Sequence, residues 1–402
     1  MKILYINGMH PTPSNTMSGV FVNRRLREIK KLSIDFRVFS PIPRYTYEIE
    51  IAKILLGKKR LDYPDYIEKD EIRFEYILTN LNSIDLIRIR TLNMNLLIEK
   101  MSNSIAKYIK TEKFDIVHAH WAYPHGAIAN KLGKILKIPS VISAHGSDIN
   151  KQAIKNNRFL KSTLITLEEA TQVIFVSSSL RKNATSLGYK DYNSTVIPNG
   201  IDSKIFKPMK KIEIKQKLNI KEFCVGFVGN LIPVKRAECL PMIFKEISLI
   251  NPKTAFLVVG DGILRKKIEF ECNKLGIDVR FTGMIPQENV PFYMNAMDVL
   301  ILPSRSEGWP CVVLEAQACG IPVVGSENGG IPEAVGLGGN IVNEGDEFEN
   351  RFAKVVIATG KQMFDRESLI KRAVAHDWSI IVQRELKVYE NALNYFSAIQ
   401  NH

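Results

Sequence analysis

The run Pro303-Ser304-Arg305-Ser306-Glu307-Gly308-Trp309-Pro310-Cys311-Val312-Val313-Leu314-Glu315 carries the densest chemical signal in the chain. The apolar residues that end at Leu302 read as a buried strand, and ligands of open α/β sheets bind beyond the carboxyl ends of such strands. Pro310 suits the first position of a following helix, where its missing N–H would have no partner anyway. Glu307 then falls in the loop and Glu315 in the second turn of the helix. The free N–H groups around Gly308, Trp309, Cys311, Val312 and Val313 offer a cradle for an anion such as phosphate. A carboxylate on either side of that cradle suits a ligand with hydroxyls flanking a diphosphate, which is a sugar nucleotide. Spacing alone equally allows two solvated glutamates.

Other chemistries find less support. After the first strand the chain lacks the G-x-G-x-x-G turn of a dinucleotide oxidoreductase, and Gly260-Asp261-Gly262 has no third glycine to complete it. A Walker A loop is absent. His118, His120 and His125 cluster without a helical i, i+4 pair or an evident carboxylate partner, so no metal ligand is assigned. No D-x-D metal-diphosphate motif occurs, and no cofactor is expected. The five cysteines lack a C-x-x-C pair and lie in the second half, which fits neither a disulfide scaffold nor a zinc site. A reducing, cytoplasmic setting is the expectation, and MKILYING reads as a first strand and not as a signal peptide.

Short apolar runs alternating with helical stretches must position these residues, and that rhythm is the pattern of parallel α/β sheets. Strands are expected at Ile3–Ile6, Phe36–Phe39, Ile116–His118, Val141–Ser143, Val173–Val176 and Val196–Ile197. A second series runs through Val225–Val228, Phe256–Val259, Val279–Phe281, Val299–Leu302, Pro322–Val324 and Ile341–Val342. Pro198-Asn199-Gly200 and the stretch to Pro208 read as turn and linker. The 402 residues therefore divide into two doubly wound, Rossmann-like domains, 1–205 and 206–378, with a terminal helical segment 379–402. Residues 41–112 break the rhythm and read as an insertion carrying one or two helices.

Charge is divided unequally. Residues 1–205 hold 31 Lys and Arg against 19 Asp and Glu, whereas residues 206–402 hold 24 against 23. An excess confined to one half suggests that this half faces something anionic. Ile51–Leu61 sets Ile54, Leu55 and Leu56 beside Lys53, Lys58, Lys59 and Arg60, a composition suited to an anionic membrane surface. A solvated basic face or core packing would leave the same signature. No apolar run approaches the roughly 20 residues of a membrane helix.

Glu307 and Glu315, with the following Ala316-Gln317-Ala318-Cys319-Gly320-Ile321-Pro322, resemble the E-x7-E signature of retaining glycosyltransferase family 4. His118-Ala119-His120-Trp121, His145-Gly146-Ser147-Asp148, Pro198-Asn199-Gly200-Ile201-Asp202, Gly260-Asp261-Gly262 and Gly329-Gly330-Ile331-Pro332-Glu333 match in the family's order. The opening Ser18-Gly19-Val20-Phe21-Val22 is similar to bacterial members that build teichuronic acid, capsule or exopolysaccharide.

The resemblance implies the two-domain GT-B fold, with the acceptor on the first domain and a nucleotide-sugar donor, a UDP-sugar by expectation, on the second. It implies ribose binding by Glu315, donor-sugar contact and transition-state stabilisation by Glu307, and phosphate neutralisation by Lys235. His145 matches the family histidine near donor sugar and phosphate, and Gly19 falls at the donor side of the opening motif. The family has arginine where this chain has Asn230, and Arg236 is the candidate to compensate. The terminal helix is expected to cross back to the first domain. The resemblance implies retention at the anomeric centre; the sequence identifies no nucleophilic carboxylate, so front-face substitution is expected, and with amides and Lys235 available no divalent cation is needed. The expected partners are the donor, a glycan or lipid-linked acceptor and an anionic membrane at the inner face of the cell membrane, but no nucleic acid. An epimerase or hydrolase on this fold, or a weakly active sugar-nucleotide-binding subunit, remain the alternatives.

Overall fold

The computed structural model describes residues 1–8, 19–46, 63–91 and 94–400. Ile51–Leu61, the segment suited to a membrane surface, lies within 47–62, outside the described residues. The chain forms two compact units. One comprises Met1–Val176, Leu180–Ile197 and Ile381–His402, the other Ser177–Ser179 and Pro198–Ile380.

The first unit is built on an eight-stranded sheet: β1 (Lys2–Asn7), β2 (Asp35–Tyr45), β3 (Tyr66–Lys69), β4 (Ile72–Leu81), β5 (Ile116–His120), β6 (Ser140–Ala144), β7 (Gln172–Phe175) and β8 (Ser194–Val196). Their order is β3-β4-β2-β1-β5-β6-β7-β8, all parallel except β3, which runs antiparallel to β4. β1, β5 and β6 are buried almost throughout, which is why they read as continuous apolar runs. On one face Leu4, Ile6, Val117 and Ala119 pack against Ile98, Met101 and Ile105 of helix Asn95–Ile109 and Ile128 and Leu132 of helix Ala127–Leu136.

Residues 41–112 are not an insertion. They complete β2, supply β3 and β4 at the sheet edge, and add helices Ser83–Thr91 and Asn95–Ile109. A buried charge hid this from the apolar pattern. Glu75, in the middle of β4, is 4% exposed and accepts from Arg37 Nε at 2.9 Å and Nη2 at 2.5 Å across the β2–β4 pair. Glu75 and Glu112 hold the Arg37 guanidinium above its ordinary range despite partial burial.

The second unit carries a six-stranded parallel sheet of β9 (Cys224–Val228), β10 (Ala255–Val259), β11 (Val279–Phe281), β12 (Val299–Leu302), β13 (Val323–Ser326) and β14 (Gly339–Val342). The order β11-β10-β9-β12-β13-β14 reverses between β9 and β12, so the loops after these two strands open side by side. Phe227, Val258 and Ile301 pack with Ile243, Phe244 and Ile247 of helix Leu240–Ile250 and Phe352 and Val356 of helix Phe348–Lys361.

The second unit begins at Pro198, ahead of the boundary read at 205/206. The turn there is anchored and not a linker. Ile201 N–H donates to His376 O and Trp378 N–H to Ile201 O, both at 3.0 Å, and Phe206 is buried. A side chain on Gly200 would start 2.7 Å from Trp378, so this turn needs glycine. The terminal helix Trp378–Gln400 starts in the second unit, and from Ile381 onward it belongs to the first. No helix among the described residues is long and apolar enough to cross a membrane.

Candidate active site

In the second unit three loops meet beyond the strand ends. β12 stops at Leu302, and helix Cys311–Ala318 begins after the loop 303–310. Pro310 is the residue before the helix and not its first, because its backbone is extended (φ −81°, ψ 95°) and turns the chain into the helix. Cys311 and Val312 therefore lead the helix and are half-buried, with Gly308 in the loop ahead of them. Glu315, one turn on, is 7% exposed, and Gln287 Nε2 donates to its Oε1 at 3.5 Å.

The loop after β9 brings Lys235 to Glu307. Lys235 Nζ donates to Glu307 Oε1 at 2.6 Å, with the glutamate side chain 10% exposed and the lysine 24%. Arg305 stitches the two loops together. Its backbone N–H donates to Val234 O at 2.9 Å, its Nη1 to Pro233 O at 2.8 Å, and its guanidinium also pairs with Glu238. On the other side Gly330 N–H donates to Glu307 O at 2.9 Å. A Cβ on Gly330 would sit 2.1 Å from Gly308 O, and one on Gly329, where φ is 58°, would sit 2.2 Å from Glu307 O. The Gly-Gly pair thus sets the height of the Glu307 backbone.

Gly260-Asp261-Gly262 has a packing role. Leu231 N–H donates to Asp261 O at 2.9 Å, and side chains at 260 or 262 would strike Gly229 O and Leu231 O at 2.1 and 2.5 Å. The motif presses on the Gly229-Asn230-Leu231 turn and leaves Asn230 exposed.

Arg236, the candidate to compensate for Asn230, is engaged with an acidic side chain and a ring. Its Nη2 reaches both oxygens of Glu344 at 2.7 Å, and its guanidinium lies over the Phe348 ring at 4.2 Å. Arg236 has a left-handed backbone (φ 52°) and follows Lys235 at the end of a short 3-10 turn. Trp309 is buried, faces the His376 ring at 5.8 Å, and its indole N–H has no protein partner among the described residues.

The first unit holds His145 and Gly19. Gly19 precedes helix Val20–Lys31 in the left-handed conformation (φ 70°), which a residue with a side chain adopts only at a cost. Phe21, in the first turn of that helix, places its ring 4.7 Å from the His145 ring. His145 follows β6 in a loop held by the buried Asp148 carboxylate, which accepts from the N–H groups of Ala122 (3.0 Å), His145 (3.1 Å), Gly146 (2.8 Å) and Ile149 (3.1 Å). Burial still raises the Asp148 carboxyl above its ordinary range. His145 Nε2 lies 3.0 Å from His120 Nδ1. Burial, with Arg25 nearby, pushes His118, His120 and His145 well below the usual histidine range, so all three are neutral at pH 7. The two ring nitrogens of His118 are taken by Tyr389 and Ser143. Among the described residues no three His, Cys, Asp or Glu are grouped to hold a metal.

The positions of Arg305 and of the residues behind His145 were not read from the sequence. A single charged residue on the apolar face of a helix, as Arg25 and Glu385 are, was the available signal.

Comparison with known proteins adds the following. Residues 63–204 match the family model described as Glycosyltransferase Family 4, and residues 209–373 match that of Glycosyl transferases group 1. TuaC of Bacillus subtilis (strain 168), a glycosyltransferase named for teichuronic acid biosynthesis, is 26% identical over 98% of this chain and 96% of its own. The UDP-Gal:alpha-D-GlcNAc-diphosphoundecaprenol alpha-1,3-galactosyltransferase of Escherichia coli is 27% identical over 74% of this chain and 76% of its own. Among solved structures, Anabaena Alr3699/HepE in complex with UDP superposes with a TM-score of 0.72 at 19% identity, covering 97% of this chain and all of that one. The lipopolysaccharide outer core galactosyltransferase WaaB superposes at 0.66 and 18% identity, covering 98% and 99%.

Proposed function

We propose, from the premise that the chain belongs to the glycosyltransferases with a family 4 and a group 1 domain on a GT-B fold, that it transfers a sugar with retention from a UDP-sugar to a glycan or lipid-linked acceptor in cell-surface polysaccharide synthesis. The observation that carries this reading is the Lys235–Glu307 pair beside the start of helix Cys311–Ala318, with Glu315 one turn on. It juxtaposes a cation for a diphosphate, N–H groups for the same oxygens and two carboxylates for hydroxyls.

In this reading Glu315 accepts both hydrogen bonds of the ribose diol. Lys235 and the amides of Gly308, Trp309, Cys311 and Val312 take up charge as the diphosphate leaves. Glu307 holds donor-sugar hydroxyls and stabilises positive charge growing at the anomeric carbon. The bond from the anomeric carbon to the phosphate oxygen breaks as the bond to the acceptor oxygen forms on the same face. The acceptor's proton passes to the departing phosphate oxygen, so the residues named supply position and electrostatics and no covalent intermediate. The UDP-sugar choice is supported by neighbours solved with UDP and with UDP-glucose. The lipid-linked acceptor is supported by a relative named for a diphosphoundecaprenol substrate and by the basic excess of residues 1–205.

A panel of nucleotide sugars, first by thermal shift and then with slow donor hydrolysis followed by NMR, tests the proposal. A ligand at 100 times its dissociation constant stabilises the fold by about 2.7 kcal/mol. Selective stabilisation by a UDP-sugar and release of sugar with the donor's anomeric configuration are expected. Inverted product would overturn retention, and stabilisation only by another nucleotide's sugars would overturn the donor base.

A further inference from the structure

Within the second unit, Lys235 stands on a turn that its own loop holds only at the two ends. At one end Leu231 is buried, and its N–H donates to Asp261 O at 2.9 Å. At the other end Arg236 Nη2 reaches both oxygens of Glu344 at 2.7 Å. Between these anchors lies a short 3-10 turn, closed by Lys235 N–H to Ile232 O and Arg236 N–H to Pro233 O, each at 3.0 Å. Pro233 and Val234 are exposed, so packing does little to fix the turn.

Among the described residues, the hydrogen bonds that tie residues 232–235 to another element all end on the loop 303–310. One is the Lys235–Glu307 pair itself. The other two come from Arg305, whose backbone N–H donates to Val234 O at 2.9 Å and whose Nη1 donates to Pro233 O at 2.8 Å. A single hydrogen bond would let the turn rotate about it, but two from different atoms of one residue do not. Glu238 pairs with the guanidinium and keeps it in place. The loop that does the holding is itself anchored on both sides of Arg305. Ser304 O accepts from Ser326 Oγ at 2.5 Å and Asn328 Nδ2 at 3.0 Å, and Glu307 O accepts from Gly330 N–H at 2.9 Å. Glu307 therefore keeps its place without the Arg305 side chain, whereas the Lys235 turn loses its tether.

We propose that Arg305 is a positioning residue, which clasps the 233–235 turn so that Lys235 Nζ stays beside Glu307 and aimed at the oxygens of the leaving diphosphate. The guanidinium is paired with Glu238, so Arg305 acts through Lys235 and not as a second phosphate ligand. The inference rests on the role given to Lys235 above.

The test compares R305M with R305K in the full-length protein, since both keep an unbranched stem and only R305K keeps a charged donor. R305M should lower kcat for hydrolysis of the nucleotide sugar selected in the panel above by about 10- to 100-fold, with a smaller change in donor KM. That is the scale expected when a group is misplaced by up to about 1 Å. R305K still reaches Pro233 O or Glu238 and should recover most of the rate. The freed carbonyls are open to water, so the urea midpoint of R305M should match wild type, while the amides of Lys235 and Arg236 should exchange about 10-fold faster by NMR. In the K235A background R305M should cost nothing further. A further loss of the same size there, with weakened UDP binding, would make Arg305 a phosphate ligand and overturn the proposal. So would R305M with wild-type kcat and exchange. A wild-type rate in K235A would remove the lysine from the chemistry while leaving the exchange result standing, so the two failures are distinguishable.

Discussion

Lys235 Nζ and Glu307 Oε1 stand 2.6 Å apart across two loops, 72 positions apart in the chain. The two residues given separate duties toward a donor's phosphate and sugar are each other's partner. In the mechanism proposed above, an incoming diphosphate shares Lys235 with Glu307.

Glu307→Gln should lower kcat by about 10–100-fold with less effect on donor KM, because the charge it senses grows only in the transition state. Glu315→Ala should mainly raise donor KM, since ribose contacts change little between ground and transition states. Lys235→Ala leaves a largely buried carboxylate unpaired, and its effect should be non-additive with Glu307→Gln. Steady-state kinetics of the two singles and the double decide this. Additive losses, or identical effects at Glu307 and Glu315, would refute the arrangement.

At Asn230 the expectation is a gain. Asn230→Arg places a guanidinium on an exposed turn beside the phosphate cradle, and donor KM should fall through a charge-assisted contact. Arg236→Ala should instead reduce stability, since it frees Glu344 and uncovers Phe348, and should leave donor KM within about 3-fold, under 1 kcal/mol. A large KM rise in Arg236→Ala would restore it as a phosphate ligand.

Acid should destabilise the fold through three histidines. His118, His120 and His145 have folded-state pKa values well below the usual 6.5 of the unfolded chain, chiefly from burial. Above pH 6.5 both states are neutral and the contribution is complete. Below it the unfolded chain binds protons that the folded chain refuses, so stability falls as pH falls toward the folded values. Each histidine then costs about 1.4 kcal/mol per pH unit. Urea unfolding between pH 8 and 5 should show the midpoint steady to about 6.5 and dropping below it. A flat profile to pH 5 would show that these rings protonate without strain.

Residues 47–62 allow a membrane test. Full-length protein should co-sediment with anionic vesicles at low salt and be released at high salt, each Lys or Arg near the surface contributing about 1 kcal/mol. Changing Lys58, Lys59 and Arg60 together to Glu should weaken binding while donor hydrolysis survives. Equal binding to neutral and anionic vesicles, or none to either, would point to a soluble acceptor.

Much of the fold was legible because buried parallel strands are uninterrupted apolar runs. Val225–Val228 and Val299–Leu302 announce themselves by composition, and helix Cys311–Ala318 by the proline before it. Glu307 and Glu315 stood out for the same local reason, since loop and helix fix their spacing without reference to the rest of the chain. β4 did not stand out, because Glu75 interrupts its apolar run and is tolerated only through Arg37 on the neighbouring strand.

By itself, then, the sequence determined the two-sheet architecture and the carboxylates of one loop and the helix after it, since both follow from patterns over a few residues. Tertiary structure alone decided that Lys235 meets Glu307, that Arg236 is spent on Glu344, and that Tyr389 and Glu385 of the last helix stand behind His118 on β5. A buried charge or ring nitrogen is satisfied by whichever group folding brings within about 3 Å, and no short-range pattern encodes that partner.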